Sequence, residues 1–511
     1  MSSPNSVSNA KLADFILIPH CTRSKHGPWL GQHDSFACGR RVTPILASRY
    51  KPAGDPHCLS KPANSATQTQ SPSVPPSAKL DSIFGATIVK ILHLSTVDQI
   101  GGAARAARRL VHGLRKQADC SNALLVRYKS GDDYDCFIPQ PSMPERACTR
   151  IRLMTEDWVL SRYSKRPLFT WSTNLLPDRV VLRAIEDFAP DIVHLHWIGG
   201  GHLPIPTLAR LNRPVVWTLH DMWPFTGGCH VTGDCSGFKQ RCGQCPQLVS
   251  KSPYDLSRLI WHAKYRYWRN LDLTVVAPSR WMAEQAKSSS LFSQRRVEVI
   301  PNGVNTSAYK PVDRHFARDI FGLPRDGTFI LFGAVKARDD ERKGYGVLQQ
   351  ALNFISRSEK PPELVVFGAS EPAVNQNSPL PIRFVGHLHD DAALSLLYSA
   401  CDVFVTPSPQ ESFSLVTLEA LACGLPVVAF AGSGPTDLID HQRNGYLARP
   451  CDPVDLARGI EWILQDAERH RSLRLSARKK AEEEFSIDRV AKRHLDFYQS
   501  VIMTTVSPAA L

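Results

Sequence analysis

The stretch Pro409–Phe430, PQESFSLVTLEALACGLPVVAF, decides how the chain is read. Two acids, Glu411 and Glu419, are separated by seven residues; small and apolar residues follow, then Gly424, Pro426 and a β-branched run. Immediately upstream, DVFVTPS (Asp402–Ser408) reads as a buried strand. Strand, loop, apolar helix and strand in that order form the repeating unit of a parallel α/β sheet. Such sheets bind ligands beyond the carboxyl ends of their strands. Glu411 falls in that loop, and the helix should begin near Ser414 or Leu415. A helix N-terminus offers free N–H groups and a positive dipole end, which suit a phosphate. Ser414, Leu415 and Val416 are therefore expected at a phosphate, with Glu419 one turn on and facing the same crevice. Carboxylates hold diols well through their two acceptor oxygens, so one acid should take sugar hydroxyls and the other a ribose.

Further strands lie on both sides of this stretch. TFILFGAV from Thr328, ELVVFGA, IRFVGHL, LPVVAFAG and GYLARP belong to the same half as DVFVTPS. An earlier set comprises TIVKILHLS (Thr87–Ser95), NALLVRY from Asn122, DIVHLHW from Asp191, PVVWTLHD from Pro214 and LTVVAPS from Leu273. Helical segments alternate with strands in each half, which predicts two α/β domains of similar size. The expected boundaries are an N-terminal domain over 86–305, a C-terminal domain over 306–485, and a final helix and tail over 486–511. Residues 1–85, rich in Ser, Pro, Thr and Gln toward their end and without apolar period, read as a disordered or poorly ordered tail. Gly101 and Gly102 allow a tight turn that opens the first helix.

Composition narrows the partners. The chain has 511 residues, 43% of them hydrophobic, which exceeds what one core of roughly 250–300 residues accommodates. A net charge of +13 favours anionic partners, or is simply a solvated surface. No basic run interleaved with aromatics marks a nucleic-acid groove. No segment approaches the roughly 18 apolar residues of a membrane span, and FILI (Phe15–Ile18) is too short for a signal peptide. These features predict a cytoplasmic protein. The face carrying Arg105, Arg108, Arg109, Arg115 and Lys116 is either solvated or a peripheral contact with the inner membrane. The fingerprint G-x-G-x-x-G and the P-loop are both absent, which argues against a dinucleotide enzyme.

Thirteen cysteines in so long a chain do not form a secreted disulfide framework. Four of them, Cys229, Cys235, Cys242 and Cys245, share the segment CHVTGDCSGFKQRCGQC. C-x-x-C is a zinc half-site, and four thiolates suit a closed structural zinc. The alternative is a loop with buried thiols.

The E-x7-E spacing followed by ALACGLPVV resembles the retaining glycosyltransferases of family 4, which have the GT-B fold. VIPNGVNTSAYKP, RKG (Arg342–Gly344) and NGYLARP resemble other motifs of that family; GGAARAARRL and TLHDMWPFTGGC resemble its bacterial surface-polysaccharide branch. The resemblance covers roughly residues 87–500. It implies an α/β fold of two Rossmann-like domains facing across a cleft, and a nucleotide-sugar donor (UDP- or GDP-linked) in the C-terminal domain, with the Gly101–Gly102 turn approaching its diphosphate from the opposite domain. It also implies a glycan or lipid-linked acceptor in the N-terminal domain, and no metal or other cofactor for catalysis. Lys343 matches the family's phosphate-contacting lysine, and His220 its donor-sugar histidine; a strand-end histidine satisfied by backbone is the alternative for His220. The family's arginine position is Ala337 here, so Arg338 is the substitute cation, or a surface residue. Asp221 should orient His220 or cap the next segment, and Ser279 should cap a helix. Alternatives to transfer are a sugar-nucleotide epimerase or phosphorylase on this fold, and a non-catalytic sugar-nucleotide-binding protein.

Overall fold

The computed structural model describes residues 88–163, 170–333, 340–355, 360–369, 378–388 and 390–506. The N-terminal tail and Arg338 lie outside the described residues.

Seven strands form the first sheet: β1 (Val89–Val97), β2 (Cys120–Tyr128), β3 (Cys136–Phe137), β4 (Ile192–Leu195), β5 (Val215–Thr218), β6 (Leu273–Ala277) and β7 (Val297–Val299). Six form the second: β8 (Phe329–Gly333), β9 (Glu363–Phe367), β10 (Ile382–Gly386), β11 (Val403–Thr406), β12 (Val427–Phe430) and β13 (Gly445–Ala448). All pairings are parallel. The orders are β3-β2-β1-β4-β5-β6-β7 and β10-β9-β8-β11-β12-β13. Each sheet thus reverses direction once, beside its first strand, and leaves there the crevice where doubly wound sheets take ligands.

Strand alternation explains how both faces are covered. Leu92, Leu94, Leu195 and Trp217 enter one core of the first sheet. Their neighbours Ile91, Ile192, Val216 and Val276 enter another, closed by Val490, Leu495, Tyr498 and Val501. Those last four belong to the helix Ile487–Val506, so the chain's end returns to seal the first sheet. Gly303 makes this return sterically feasible: a Cβ there would sit 2.7 Å from Ile487 Cδ1 and 3.0 Å from Ile487 Cα. Close approach, not a positive φ, is what requires glycine at that position.

Among the described residues no helix is long and apolar enough to cross a membrane. The basic helix α1 (Gly102–Leu114) is not the freely solvated face its sequence suggested: Arg105 and Arg109 turn toward the second domain.

Candidate active site

A cavity of about 350 Å³ lies between the two sheets. Segments that follow β1, β4, β5, β8 and β11 converge on it: Gly101 and Gly102, Trp197, His220 and Asp221, Arg342 and Lys343, and Gln410–Ser412. Five sequence-predicted residues are thereby brought together: Gly101, Gly102, His220, Lys343 and Glu411.

Backbone geometry fixes this convergence. Gly101 caps α1 with φ 90°, and open space surrounds its missing Cβ, so conformation alone demands glycine. No side chain caps α1 and no acid stands in its first turn, leaving that positive dipole end available to an anion. Gly344, with φ +70°, is required twice over, because a Cβ would come within 1.8 Å of the Pro407 carbonyl oxygen. It positions Lys343, whose ammonium donates to Glu411 Oε1 at 2.7 Å. The cation and the acid expected to grip different parts of a ligand thus hold one another. Arg342, beside it, is held by Asp340 through two hydrogen bonds of 2.7 and 2.6 Å. RKG carried the signal for Arg342, but sequence reasoning passed over it in favour of Arg338.

The loop of Glu411 is pinned across the cleft. Ser412 Oγ donates to the His220 carbonyl at 2.7 Å, and Ser279 Oγ donates to the Ser412 carbonyl at 2.7 Å. Ser279 also caps its helix through the amide of Met282, as expected.

His220 ends a chain of imidazoles. Its Nε2 lies 3.0 Å from His196 Nδ1, and His196 Nε2 lies 3.1 Å from His93 Nδ1. His93 Nε2, fully buried, has no partner among the described residues. A buried N–H without an acceptor is the rarer and costlier defect, so the lone pair belongs at that terminus. Each proton then sits on Nδ1 and points outward along the chain, which leaves His220 Nδ1–H as a neutral donor on the cavity side. Burial lowers His220 to about 4, against the opposing pull of Asp221, and lowers His93 to about 3 with the help of His494 and Arg115. The spacing His-x-His in DIVHLHW was the available signal, since residues two apart share one face of a strand. Asp221 does not orient His220: its carboxylate lies 2.6 Å from His230 Nδ1 and accepts from the Trp223 amide at 2.9 Å.

Glu419, Ser414, Leu415 and Val416 lie outside the cavity lining. Ser414 adopts φ 82° and bonds Thr417 Oγ1 at 2.9 Å; the tip it begins abuts α1, where a Cβ on Gly102 would meet Leu415 Cδ1 at 3.9 Å. Glu419, expected in the crevice, is fully buried and accepts from Arg109 Nη2 at 2.6 Å and from the Tyr398 hydroxyl at 3.2 Å. Arg105 completes the clasp through Asp391 at 3.0 Å and the Tyr309 hydroxyl at 2.9 Å. Burial is the largest single influence and lowers both arginines, but Glu419, Tyr309 and Asp391 together outweigh it and raise them. The difference from expectation is physical: in this arrangement the arginines of α1 reach that carboxylate first.

The four cysteines share one loop, where the Cys242 amide bonds the Gly237 carbonyl at 3.0 Å and Cys235 Sγ lies 3.5 Å from where a Gly237 Cβ would stand. Among the described residues, however, the group of three ligand-type atoms within 4.8 Å of one another is His93, His194 and His196, not the thiols. Sulfurs bound tetrahedrally at about 2.3 Å would lie closer together than that. The four thiols nonetheless cluster: burial raises the Cys229 thiol, and Cys242, Cys245 and Cys235 each raise it further by their charge. A structural zinc here is a proposal, and no catalytic step is routed through a metal there.

Two Rossmann-type sheets meeting at a cavity that offers a helix tip, a lysine–carboxylate pair and a neutral imidazole define a two-domain glycosyltransferase of the GT-B class. Residues 100–308 match the description Glycosyltransferase Family 4, and residues 327–466 match Glycosyl transferases group 1. A D-inositol 3-phosphate glycosyltransferase of Xylanimonas cellulosilytica is 30% identical over 324 residues, which are 60% of this chain and 71% of that protein. The chain belongs to glycosyltransferase family 4. Among solved structures, sucrose-phosphate synthase from Thermosynechococcus elongatus has a TM-score of 0.58 at 21% identity, over 81% of this chain and 100% of that one. Anabaena HepE in complex with UDP and glucose has a TM-score of 0.55 at 17% identity, with the same coverage. These two share the fold.

Proposed function

We propose that the chain moves a sugar from a nucleoside-diphosphate donor, UDP- or GDP-linked, to a glycan or lipid-linked acceptor with retention at the anomeric carbon, in extracellular or capsular polysaccharide assembly. The observation that carries this reading is the convergence of Gly101–Gly102, His220, Lys343 and Glu411 on one interdomain cavity. The solved HepE complex with UDP and glucose supports a UDP-sugar as the first donor to supply.

In this reading the diphosphate leaves with extra negative charge, and groups aimed at that charge lower the barrier. Lys343, released from Glu411, and the uncapped end of α1 supply them. The bond from the anomeric carbon to the phosphate oxygen breaks, and a bond to the acceptor oxygen forms on the same face. The acceptor proton passes to the departing phosphate oxygen. His220 Nδ1–H donates to a donor-sugar oxygen, and Glu411 accepts from its hydroxyls. Glu411 serves as a positioning acid: before a donor arrives its carboxylate is held by the Lys343 ammonium at 2.7 Å, and release of that lysine frees its oxygens to accept.

The names of relatives favour a second acceptor class, phosphorylated cyclitols, which belongs in the same test. The purified chain is given UDP- and GDP-hexoses with both acceptor classes, and transfer is followed by mass spectrometry. The reading holds if one donor is consumed with product formed, and if Lys343→Ala and Glu411→Ala each suppress it. Wild-type turnover in both variants would remove the site assignment.

A further inference from the structure

The second cavity on α1 has no part in the reaction just described. It measures about 110 Å³ and is lined by Arg105, Arg108, Arg109, His112, Lys116 and Asn305, with Asp391 as its acid. It lies along the body of α1, whereas the reaction cavity lies at that helix's N-terminal tip.

Most of the charge around it is already matched. Arg105 pairs Asp391 at 3.0 Å, Arg109 Nη2 pairs Glu419 at 2.6 Å, Lys116 pairs Asp488 at 2.8 Å, and His112 lies 2.6 Å from Asp133. Three donors remain over. The Arg108 guanidinium has no hydrogen-bond or ion-pair partner among the described residues. Arg109, whose side chain is 9% exposed, keeps a buried Nη1 without a partner. Asn305 has its amide orientation fixed, because Oδ1 accepts from the Ser307 and Ala308 amides at 3.1 and 3.3 Å, which leaves Nδ2 to donate elsewhere. A buried guanidinium nitrogen without an acceptor is destabilising by itself, and two arginine forks beside an amide donor match an oxyanion.

We propose that this cavity is a binding site for a phosphate-type oxyanion, held by Arg108, Arg109 Nη1 and Asn305 Nδ2. The anion ties α1 of the first domain to the interdomain connection at Asn305. It does so without touching Lys343, Glu411 or His220, so the site stands apart from the proposed reaction. The phosphate comes either free from solution or on the headgroup of an anionic lipid.

The test uses the full chain and two probes. Isothermal titration with inorganic phosphate is run on the wild type, Lys343→Ala, Arg108→Gln and Asn305→Ala. In parallel, flotation is run with vesicles of phosphatidic acid in phosphatidylcholine. A solution anion is indicated if Lys343→Ala binds phosphate as the wild type does while Arg108→Gln binds it about ten- to a hundredfold more weakly and Asn305→Ala less tightly than wild type. A headgroup is indicated if only the vesicle binding depends on Arg108. Arg108 is half-buried and unpaired, so its replacement threatens folding little; Arg108→Lys, which keeps charge but loses the fork, should fall between. The inference is overturned if neither probe responds to Arg108→Gln, or if phosphate binding vanishes with Lys343→Ala alone.

Discussion

The two sheets have the same strand order around their first strands, yet they furnish the cavity with opposite chemistry. The first contributes uncharged donors: backbone N–H at the end of α1, and an imidazole oriented by two others behind it. The second contributes ions: Lys343, Arg342 and Glu411. A shared topology therefore fixes where a site forms and leaves its chemistry to residues at strand ends. One half preorganises dipoles at the cost of burying titratable groups; the other holds charges that must exchange partners when a ligand arrives.

Acid should separate the halves most. His93, His220 and His494 are held neutral by burial, at about 3, 4 and 4. Their unfolded value is near 6.5, so between that pH and their folded values the unfolded chain binds more protons and stability rises with pH. Stability is accordingly lost as pH falls from 6.5 toward 4. Between pH 6.5 and 5 the loss is about 2 kcal/mol each for His93 and His494, and less for half-buried His220. Urea midpoints measured at pH 7 and pH 5 should show it. A flat dependence over that interval would mean these rings reach water.

The buried clasp between the halves is the next largest effect. Removing one partner of a buried ion pair strands the other charge and costs roughly 3–5 kcal/mol. Arg109→Met should lower the melting temperature accordingly. Adding Glu419→Leu to it should restore much of the loss, because a paired apolar replacement leaves no orphan charge. If the double variant is no better than the single, Glu419 is not the group Arg109 serves.

On the ionic side, Lys343→Ala should reduce turnover about 10²–10³-fold with little change in melting temperature, since its pair with Glu411 is partly exposed and worth under about 1 kcal/mol. Activity and stability thus part company at Lys343 and would move together at Arg109.

These contrasts also show what the sequence made legible. Strands written as continuous apolar runs were readable because parallel sheets are buried on both faces, and the E-x7-E spacing located the loop and helix that follow β11. The direction of Glu419 was not readable. Whether a carboxylate one turn into a helix faces a crevice or an arginine depends on how the opposite domain docks, and Arg109 lies 310 residues away in sequence. The imidazole chain was half legible: His-x-His places His194 and His196 on one face, but only the pairing of β1 with β4 brings His93 to them. The cysteine spacing suggested zinc, and spacing alone could not say whether the sulfurs converge.

The smallest expected effect concerns the orientation of one proton. If His93 and His196 set His220 as the Nδ1–H form, replacing His196 frees that choice without changing any charge. His196→Gln should lower turnover by about tenfold, the scale of one hydrogen bond to substrate, and the change should fall on kcat rather than KM. A structural role would move stability too, so the decisive reading is spectroscopic. Nitrogen chemical shifts of labelled His220 should report Nδ1–H in the wild type and a tautomer mixture in the variant. The pH profile of the wild type should show no limb from His220 near 6.5, because burial holds it to about 4. An Nε2–H signal in the wild type would reverse the chain. It would place the unpartnered proton on His93 and make His220 an acceptor, and the first domain would then meet the donor sugar with a lone pair instead of a hydrogen.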